Sequence, residues 1–110
     1  MFDIEKLAML AQGNRLLMLT VLKDAQRENR RDLLAAKQEG GDGDRQTVKH
    51  HIHRINGTAQ LLDIKSLMAA AQSLEAKLSG TISSSELVRE LEHMETLLNE
   101  LDQAINNFIP

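Results

Sequence analysis

The apolar residues of this chain recur at three- and four-residue spacing along nearly its whole length, and this periodicity constrains the fold more than any other feature. Such spacing places side chains on one face of an α-helix. The only proline is Pro110, so no predicted helix is interrupted by one. The most regular seam lies near the C-terminus and comprises Leu87, Leu91, Met94, Leu98, Leu101, Ile105 and Phe108. A seam of this length is compatible with a coiled coil, but the other amphipathic segments favour packing inside a bundle.

Two helices are predicted before the first loop. Asp3 and Gly13 are typical of the start and end of a short first helix. A long second helix is predicted from about Asn14 to Gln38, with a polar gap in its stripe at Asn29. Its charged run at 27–31 is interpreted as a solvated face, with a docking patch for an acidic partner as the alternative. The apolar positions are Ile4, Leu7, Leu10 and Ala11 on the first helix and Met18, Leu22, Ala25, Leu33 and Ala36 on the second.

A glycine- and acid-rich loop at 39–44 precedes a third helix, predicted from Arg45 to about Leu62 with Asp44 as its N-cap. A fourth helix is expected to be capped by Asp63 or Ser66 and to end at Gly80. The run 83–86 has the pattern of a capping box for the fifth. The stripes are Val48, Ile52, Ile55, Ala59 and Leu62 on the third helix and Leu67, Ala71, Leu74 and Leu78 on the fourth. The predicted fold is all-α, an antiparallel four-helix bundle with a short additional N-terminal helix, in one domain spanning 1–110.

Composition excludes several classes of function. Apolar residues make up 42% of the chain and aromatic residues only 2%, so the core must be built from aliphatic side chains. A net charge of −3 without a basic patch gives no reason to expect a nucleic-acid partner. The absence of cysteine excludes disulfides and thiolate zinc sites. Because neither a signal peptide nor a membrane-spanning apolar run is evident, we expect a cytoplasmic chain without direct membrane contact.

The third helix presents a histidine beside a glycine. His53 and Gly57 lie one turn apart on a face other than the apolar one, and Gln60 follows three residues later. A glycine inside a helix costs about 1 kcal/mol relative to alanine, but it lets another molecule approach the neighbouring histidine closely. No phosphate-binding P-loop or nucleophile elbow is present, so the chain has no ATP-binding or autokinase site of its own.

The sequence His-Arg-Ile-Asn-Gly-Thr-Ala at 53–59, preceded by Gly43-Asp44 and followed by Leu74-Glu75, resembles a histidine-containing phosphotransfer (HPt) domain. Most similar are the HPt modules at the C-terminus of hybrid sensor kinases, and length and helix order agree over the whole chain. The resemblance implies a phosphorelay carrier in two-component signal transduction. His53 would accept a phosphoryl group from the aspartate of a receiver domain and pass it to a downstream response regulator. The receiver is expected to bring the divalent metal, so no cofactor is expected in this chain.

The resemblance also implies roles for residues around His53. The predicted phosphate or partner support comprises Lys49, Arg54, Asn56, Gly57 and Gln60. The predicted docking surface comprises His50, Leu7, Leu10 and Leu61, although these leucines are equally suited to closing one end of the core. This chain departs from the family pattern at Asn56, where lysine is common, and at Asp63, where glycine is frequent. Lys49, one turn before His53, is the proposed substitute for the missing lysine.

The sequence is also compatible with two alternatives to the relay hypothesis. His50 and His53 are spaced to bind zinc from one helix face, but a functional site needs a third ligand that the pattern does not supply. We therefore predict no metal site, and we expect no role for His51 or His93. The second alternative is a non-catalytic helical module that binds a partner or dimerises through the fifth helix. Substitution of His53 would abolish acid-labile phosphorylation in the relay and leave an interaction module unaffected.

Overall fold

A computed structural model describes residues 2–39 and 44–108, and within them the chain forms five α-helices. These are α1 (Ile4–Leu10), α2 (Arg15–Glu39), α3 (Arg45–Leu61), α4 (Lys65–Ser79) and α5 (Ser84–Phe108). The four long helices form a closed bundle in which α2 and α4 each pack against both α3 and α5. The molecule measures 44 × 20 × 18 Å. The predicted all-α bundle with a short N-terminal helix is confirmed.

The core consists largely of the predicted apolar stripes, but Ile4 and Leu10 of the predicted stripe of α1 are about half exposed and Phe108 is only partly buried. Each helix turns its stripe inward because that is the only way to remove these side chains from water. Asn29 lies on the stripe of α2 and is buried with it, at 2% exposure. The largest fully buried side chains are Leu7, Leu22, Ile52, Ile55, Leu62, Ile64, Leu67, Leu74, Leu87, Met94, Leu98 and Leu101.

Local capping explains where α2 and α3 begin. The Asn14 side chain accepts a hydrogen bond from the backbone N–H of Leu17, and the Asp44 side chain accepts one from that of Gln46. Asp44 is thus the N-cap of α3, as predicted. The predicted loop at 39–44 begins later than expected, because Glu39 is still the last residue of α2. Residues 40–43 of this loop lie outside the described residues.

α1 and α3 end in the same backbone motif. Gln12 and Asp63 adopt left-handed conformations, with φ of 52° and 54°. The N–H of Gly13 donates to the carbonyl of Ala8, and the N–H of Ile64 donates to that of Ala59, as in a Schellman motif. Gly13 was expected to end α1, but the chain already reverses at Gln12.

The predicted N-cap of α4 is wrong. Ile64 occupies that position and has no side-chain acceptor for the first N–H groups of the helix. Asp63 is used instead as the left-handed residue that terminates α3, and Ser66 already lies inside α4. One short connection therefore ends one helix and starts the next without a polar cap.

The short helix α1 closes one end of the bundle. The N–H of Asp3 donates to the carbonyl of Leu62 at 3.0 Å, and Lys6 Nζ donates to the carbonyl of Gln60 at 2.8 Å. Both bonds tie α1 to the C-terminal end of α3. Leu7 is fully buried in this junction. Its predicted place on an exposed docking surface is therefore wrong, since its side chain closes the core.

Surface ion pairs link neighbouring helices. Arg30, inside the charged run of α2, binds Asp102 of α5, so this run is only partly a solvated face. Lys37 donates to Glu95 of α5 and holds the pKa of that carboxyl below its usual value. Such exposed pairs contribute little to stability individually, about 0–1 kcal/mol each.

A separate set of ion pairs links α4 to α5. Lys77 of α4 donates to Glu90 and also pairs with Glu86, and these contacts raise the pKa of Lys77.

Candidate functional site

The outer face of α3 presents His53 to solvent. Its neighbours in the sequence, Ile52 and Ile55, are fully buried and fix the rotation of the helix. The histidine therefore lies on the opposite side, and its side chain is 75% exposed. An imidazole at this position is accessible to a macromolecular partner.

Glu75 of α4 orients the imidazole of His53. Its Oε1 lies 2.7 Å from Nδ1 of the ring, and the glutamate side chain is only 17% exposed. A carboxylate accepts hydrogen bonds, so this contact favours the tautomer that carries its proton on Nδ1. The lone pair of the neutral ring then lies on Nε2, the nitrogen remote from Glu75. This is the electronic arrangement that a histidine nucleophile requires.

A shallow cleft of about 240 Å³ lies between α3 and α4 beside His53. Lys49 and His50 line this cleft together with His53. Lys49 Nζ contacts Ser79 Oγ at 2.5 Å. The remaining lining residues are Gln46 and Glu75.

The other side of α3 forms a second cleft, against α2, and Arg54 belongs to it. The Arg54 guanidinium lies 3.3 Å from Glu28 and 3.2 Å from Asp32. Asp32 is buried and also contacts His51 Nδ1 at 2.9 Å. Arg54 is thus held by carboxylates of α2 and does not share the cleft of His53. Its predicted role in phosphate or partner support stays a prediction.

Asn56 lies on the inner side of α3. It is only 5% exposed, and its Oδ1 has no hydrogen-bond partner within the described part of the chain. Its predicted place among the residues that support the phosphate or the partner disagrees with this burial, because such a residue needs an exposed side chain.

Gly57 lies on the exposed surface one turn after His53. A Cβ at Gly57 would have no atom within 4 Å, so packing inside the chain does not require glycine there. Gln60, three residues further, is also exposed. Leu10 and Leu61 are each about half exposed, unlike Leu7. These two leucines remain available as the apolar part of a docking surface.

The sequence analysis assigns no role to two polar residues beside His53, Glu75 and Ser79, or to Asp32 in the second cleft. Glu75 was noted only as part of a motif. Glu75 and Ser79 are one turn apart on α4, beside its apolar stripe, and this polar spacing was the available signal. The sequence contains no such signal for Asp32, because only the packing of α2 against α3 brings it to His51. His93 is exposed on α5.

Residues 2–39 and 44–108 contain neither a metal-binding cluster nor a membrane-spanning helix. No three histidine, aspartate or glutamate side chains are grouped so that they could hold a metal ion. None of the helices there is both long and apolar enough to span a bilayer.

Comparisons with known proteins identify the family. The profile of the Hpt domain matches residues 17–107. The chain is 34% identical over 106 residues to the sensor protein EvgS of Escherichia coli K12 and 33% identical to that of E. coli O157:H7. In both cases 96% of the chain is aligned, but it spans only 9% of the relative's length. No solved structure shows a significant match. The family profile covers the helices that carry His53 and Glu75, and the chain belongs to the Hpt domain family, the phosphorelay carriers of two-component systems.

Proposed function

We propose that His53 is the phosphoacceptor of this domain. It takes a phosphoryl group from the aspartyl phosphate of a receiver domain and passes it to a response regulator. The observation that carries this proposal is the pairing of high exposure with an oriented ring. His53 is 75% exposed, and its Nδ1 lies 2.7 Å from Glu75 Oε1.

The reaction follows from this orientation. The lone pair on Nε2 of His53 attacks phosphorus, the Nε2–P bond forms, and the bond between phosphorus and the aspartyl oxygen breaks. The electron pair of that bond returns to the receiver carboxylate. Positive charge develops on the ring, and the carboxylate of Glu75 stabilises it through the Nδ1–H hydrogen bond. In the second transfer the Nε2–P bond breaks, its electrons return to Nε2, and an aspartyl oxygen of the response regulator bonds to phosphorus.

The surface beyond His53 suits a transient partner. Gly57 offers no side chain at a position where the fold would accommodate one, and Leu61, one turn further along α3, is about half exposed. Leu10 of α1 is exposed to a similar degree. We place the receiver over this surface, with His50 at its other edge. Relay partners must exchange, so a small interface at the low end of the usual range is expected. The divalent metal of the reaction is assigned to the receiver.

The parent protein is proposed to be a hybrid sensor kinase, with the relay acting on the cytoplasmic side of the membrane. The basis is the similarity to two sensor proteins over 96% of this chain.

The test is a transfer assay with a phosphorylated receiver domain and Mg²⁺. We expect acid-labile, base-stable label on the wild-type chain and none on His53→Gln. His93→Gln is the matched control, since it removes an exposed histidine from α5 and should leave labelling unchanged. Circular dichroism establishes that both variants are folded.

Each other outcome has a definite meaning. Label that persists in His53→Gln would move the phosphoacceptor to another histidine and contradict the proposal. A wild-type chain that stays unlabelled by its cognate receiver, while still binding it, would favour the interaction-module alternative.

A further inference from the structure

We propose that charge separated across the bundle steers the receiver onto α3, and that the receiver surface which docks there is net acidic. This inference rests on the proposed function of His53. It adds the chemistry of the partner surface and the force that orients its approach, both of which act before any phosphoryl group is transferred.

The charged residues are unevenly distributed among the four long helices. α2 carries six basic and four acidic residues, α3 three basic and none acidic, and α4 two basic and one acidic. α5 carries one basic and six acidic residues. The helix of His53 and its two neighbours are therefore each net positive, with formal charges of +3 on α3, +2 on α2 and +1 on α4, whereas α5 has a formal charge of −5. The net charge of −3 for the chain does not reveal this separation.

The negative helix lies at the corner of the bundle opposite α3. α2 and α4 each pack against both α3 and α5 and separate them. The molecule measures 20 × 18 Å along its two shorter axes, whereas the Debye length at physiological ionic strength is about 8 Å. Screening therefore lets a partner that approaches α3 sense the positive helices much more strongly than the acids of α5.

The acidic residues near α3 do not reverse the sign of this face. Asp44 and Asp63 flank the helix, nine and ten residues from His53, and therefore lie roughly 14–15 Å from it along the helix axis. The carboxylates of α2 that contact Arg54 are already counted in the charge of that helix. The surface around His53 stays net positive.

A charge separation of this kind orients a partner before contact. An acidic surface is attracted by the helices around His53 and repelled by α5, so an acidic docking face arrives turned towards the histidine. Such steering raises association rates by about 10- to 1,000-fold at low ionic strength, and the effect fades as salt is added. It suits a relay, in which partners bind through a small interface and must exchange.

The experiment measures the second-order rate of transfer from a phosphorylated receiver that labels His53, at salt concentrations between about 20 mM and about 500 mM. Two charge-matched double variants are compared with the wild type. Arg27→Gln/Arg31→Gln removes two exposed positive charges from α2, and Arg89→Gln/Gln103→Glu makes the same change in charge on the exposed surface of α5. Both variants change the net charge from −3 by two negative units, so they differ only in where the charge is placed.

A small donor reports whether the site is intact in each variant. Nε2 of His53 attacks the phosphorus of phosphoramidate, the P–N bond breaks and ammonia leaves, so labelling needs no docking surface. Circular dichroism establishes the fold. Arg27 and Arg31 pair with carboxylates of their own helix at exposed positions, and such pairs add little to stability.

The wild-type transfer rate should fall about tenfold or more as salt rises over this range, because the attraction is screened. At about 100 mM salt, where the Debye length is about 10 Å, the α2 variant should transfer about threefold more slowly than the wild type. Its rate should also depend less on salt. The α5 variant should stay within about 1.5-fold of the wild type, since its added charge lies across the bundle.

The failures of the two proposals are distinguishable. Wild-type protein that takes no label on His53 from either donor would overturn the proposed function. A labelled wild type whose transfer rate does not fall with salt would overturn the steering alone. Equal slowing of the two double variants would do the same, because net charge and not its position would then control the rate.

Discussion

At the scale of single residues, the contact between Glu75 Oε1 and His53 Nδ1 determines which ring nitrogen can react. Glu75→Ala removes the acceptor that fixes the Nδ1–H tautomer, and alanine is well tolerated in a helix. We expect a mixture of tautomers by ¹⁵N NMR and transfer from a receiver that is about five- to tenfold slower, as for loss of one partly exposed hydrogen bond to a charged group. Glu100→Ala, at an exposed position of α5, is the control. An unchanged tautomer ratio would show that Glu75 does not orient the ring.

A side chain at position 57 should affect the free domain and its complex with a receiver differently. Because a Cβ there would meet no other atom within 4 Å, Gly57→Ala should raise the free energy of unfolding by about 0.5–1 kcal/mol in urea denaturation. Gly57→Leu should also fold, yet it should slow transfer from a receiver by about tenfold or more, since it places bulk beside His53. Labelling of Gly57→Leu by phosphoramidate should stay normal. Equal slowing with both donors would mean that the helix itself is distorted.

At the scale of elements, α3 positions the site because both of its ends are specified. Asp44 fixes its start through the backbone N–H of Gln46, and the left-handed Asp63 fixes its end. The left-handed conformation of Asp63 is strained, since a residue with a Cβ is less stable than glycine in that conformation.

Asp63→Gly should therefore stabilise the domain. The expected gain is about 0.5 kcal/mol in urea denaturation, because relief of the left-handed strain is partly offset by the greater freedom of glycine in the unfolded chain. Asp63→Ala, which keeps the Cβ without the local hydrogen bonding of aspartate, should not share this gain. Transfer rates should be unchanged in both variants. A loss of stability in Asp63→Gly would indicate that the carboxylate makes a stabilising interaction of its own.

At the scale of the whole molecule, the bundle tolerates a polar side chain in its core. Asn29 is 2% exposed, and neither its Oδ1 nor its Nδ2 has a hydrogen-bond partner among the described residues. Burying unpaired polar groups costs about 1–3 kcal/mol, which the surrounding aliphatic contacts must offset.

Asn29→Leu should raise the free energy of unfolding by about 1 kcal/mol, because it removes the unpaired amide and completes the apolar stripe of α2, with some loss from the larger volume. Thermal and urea unfolding measure the effect. Asn29→Ala is the matched control and should gain less, since it removes the amide but leaves space unfilled. A destabilised leucine variant would contradict the view that the amide is a defect of the core.

The sequence by itself determined the helices, the apolar stripes and the exposure of His53. These are local properties: a spacing of three and four specifies one face of a helix, and residues on other faces then meet solvent. The membership of Leu22, Ile52 and Leu74 in one core follows from that spacing without any knowledge of the helix order.

Only the tertiary structure decided which polar side chains meet. Glu75 reaches His53 from another helix, and 22 residues separate the two along the chain. The burial of Leu7 and Asn56 depends on how α1 docks and how far α3 rotates, and a one-position difference in rotation would exchange inner and outer residues. Contacts between helices depend on these rigid-body placements, which no spacing within a single helix contains.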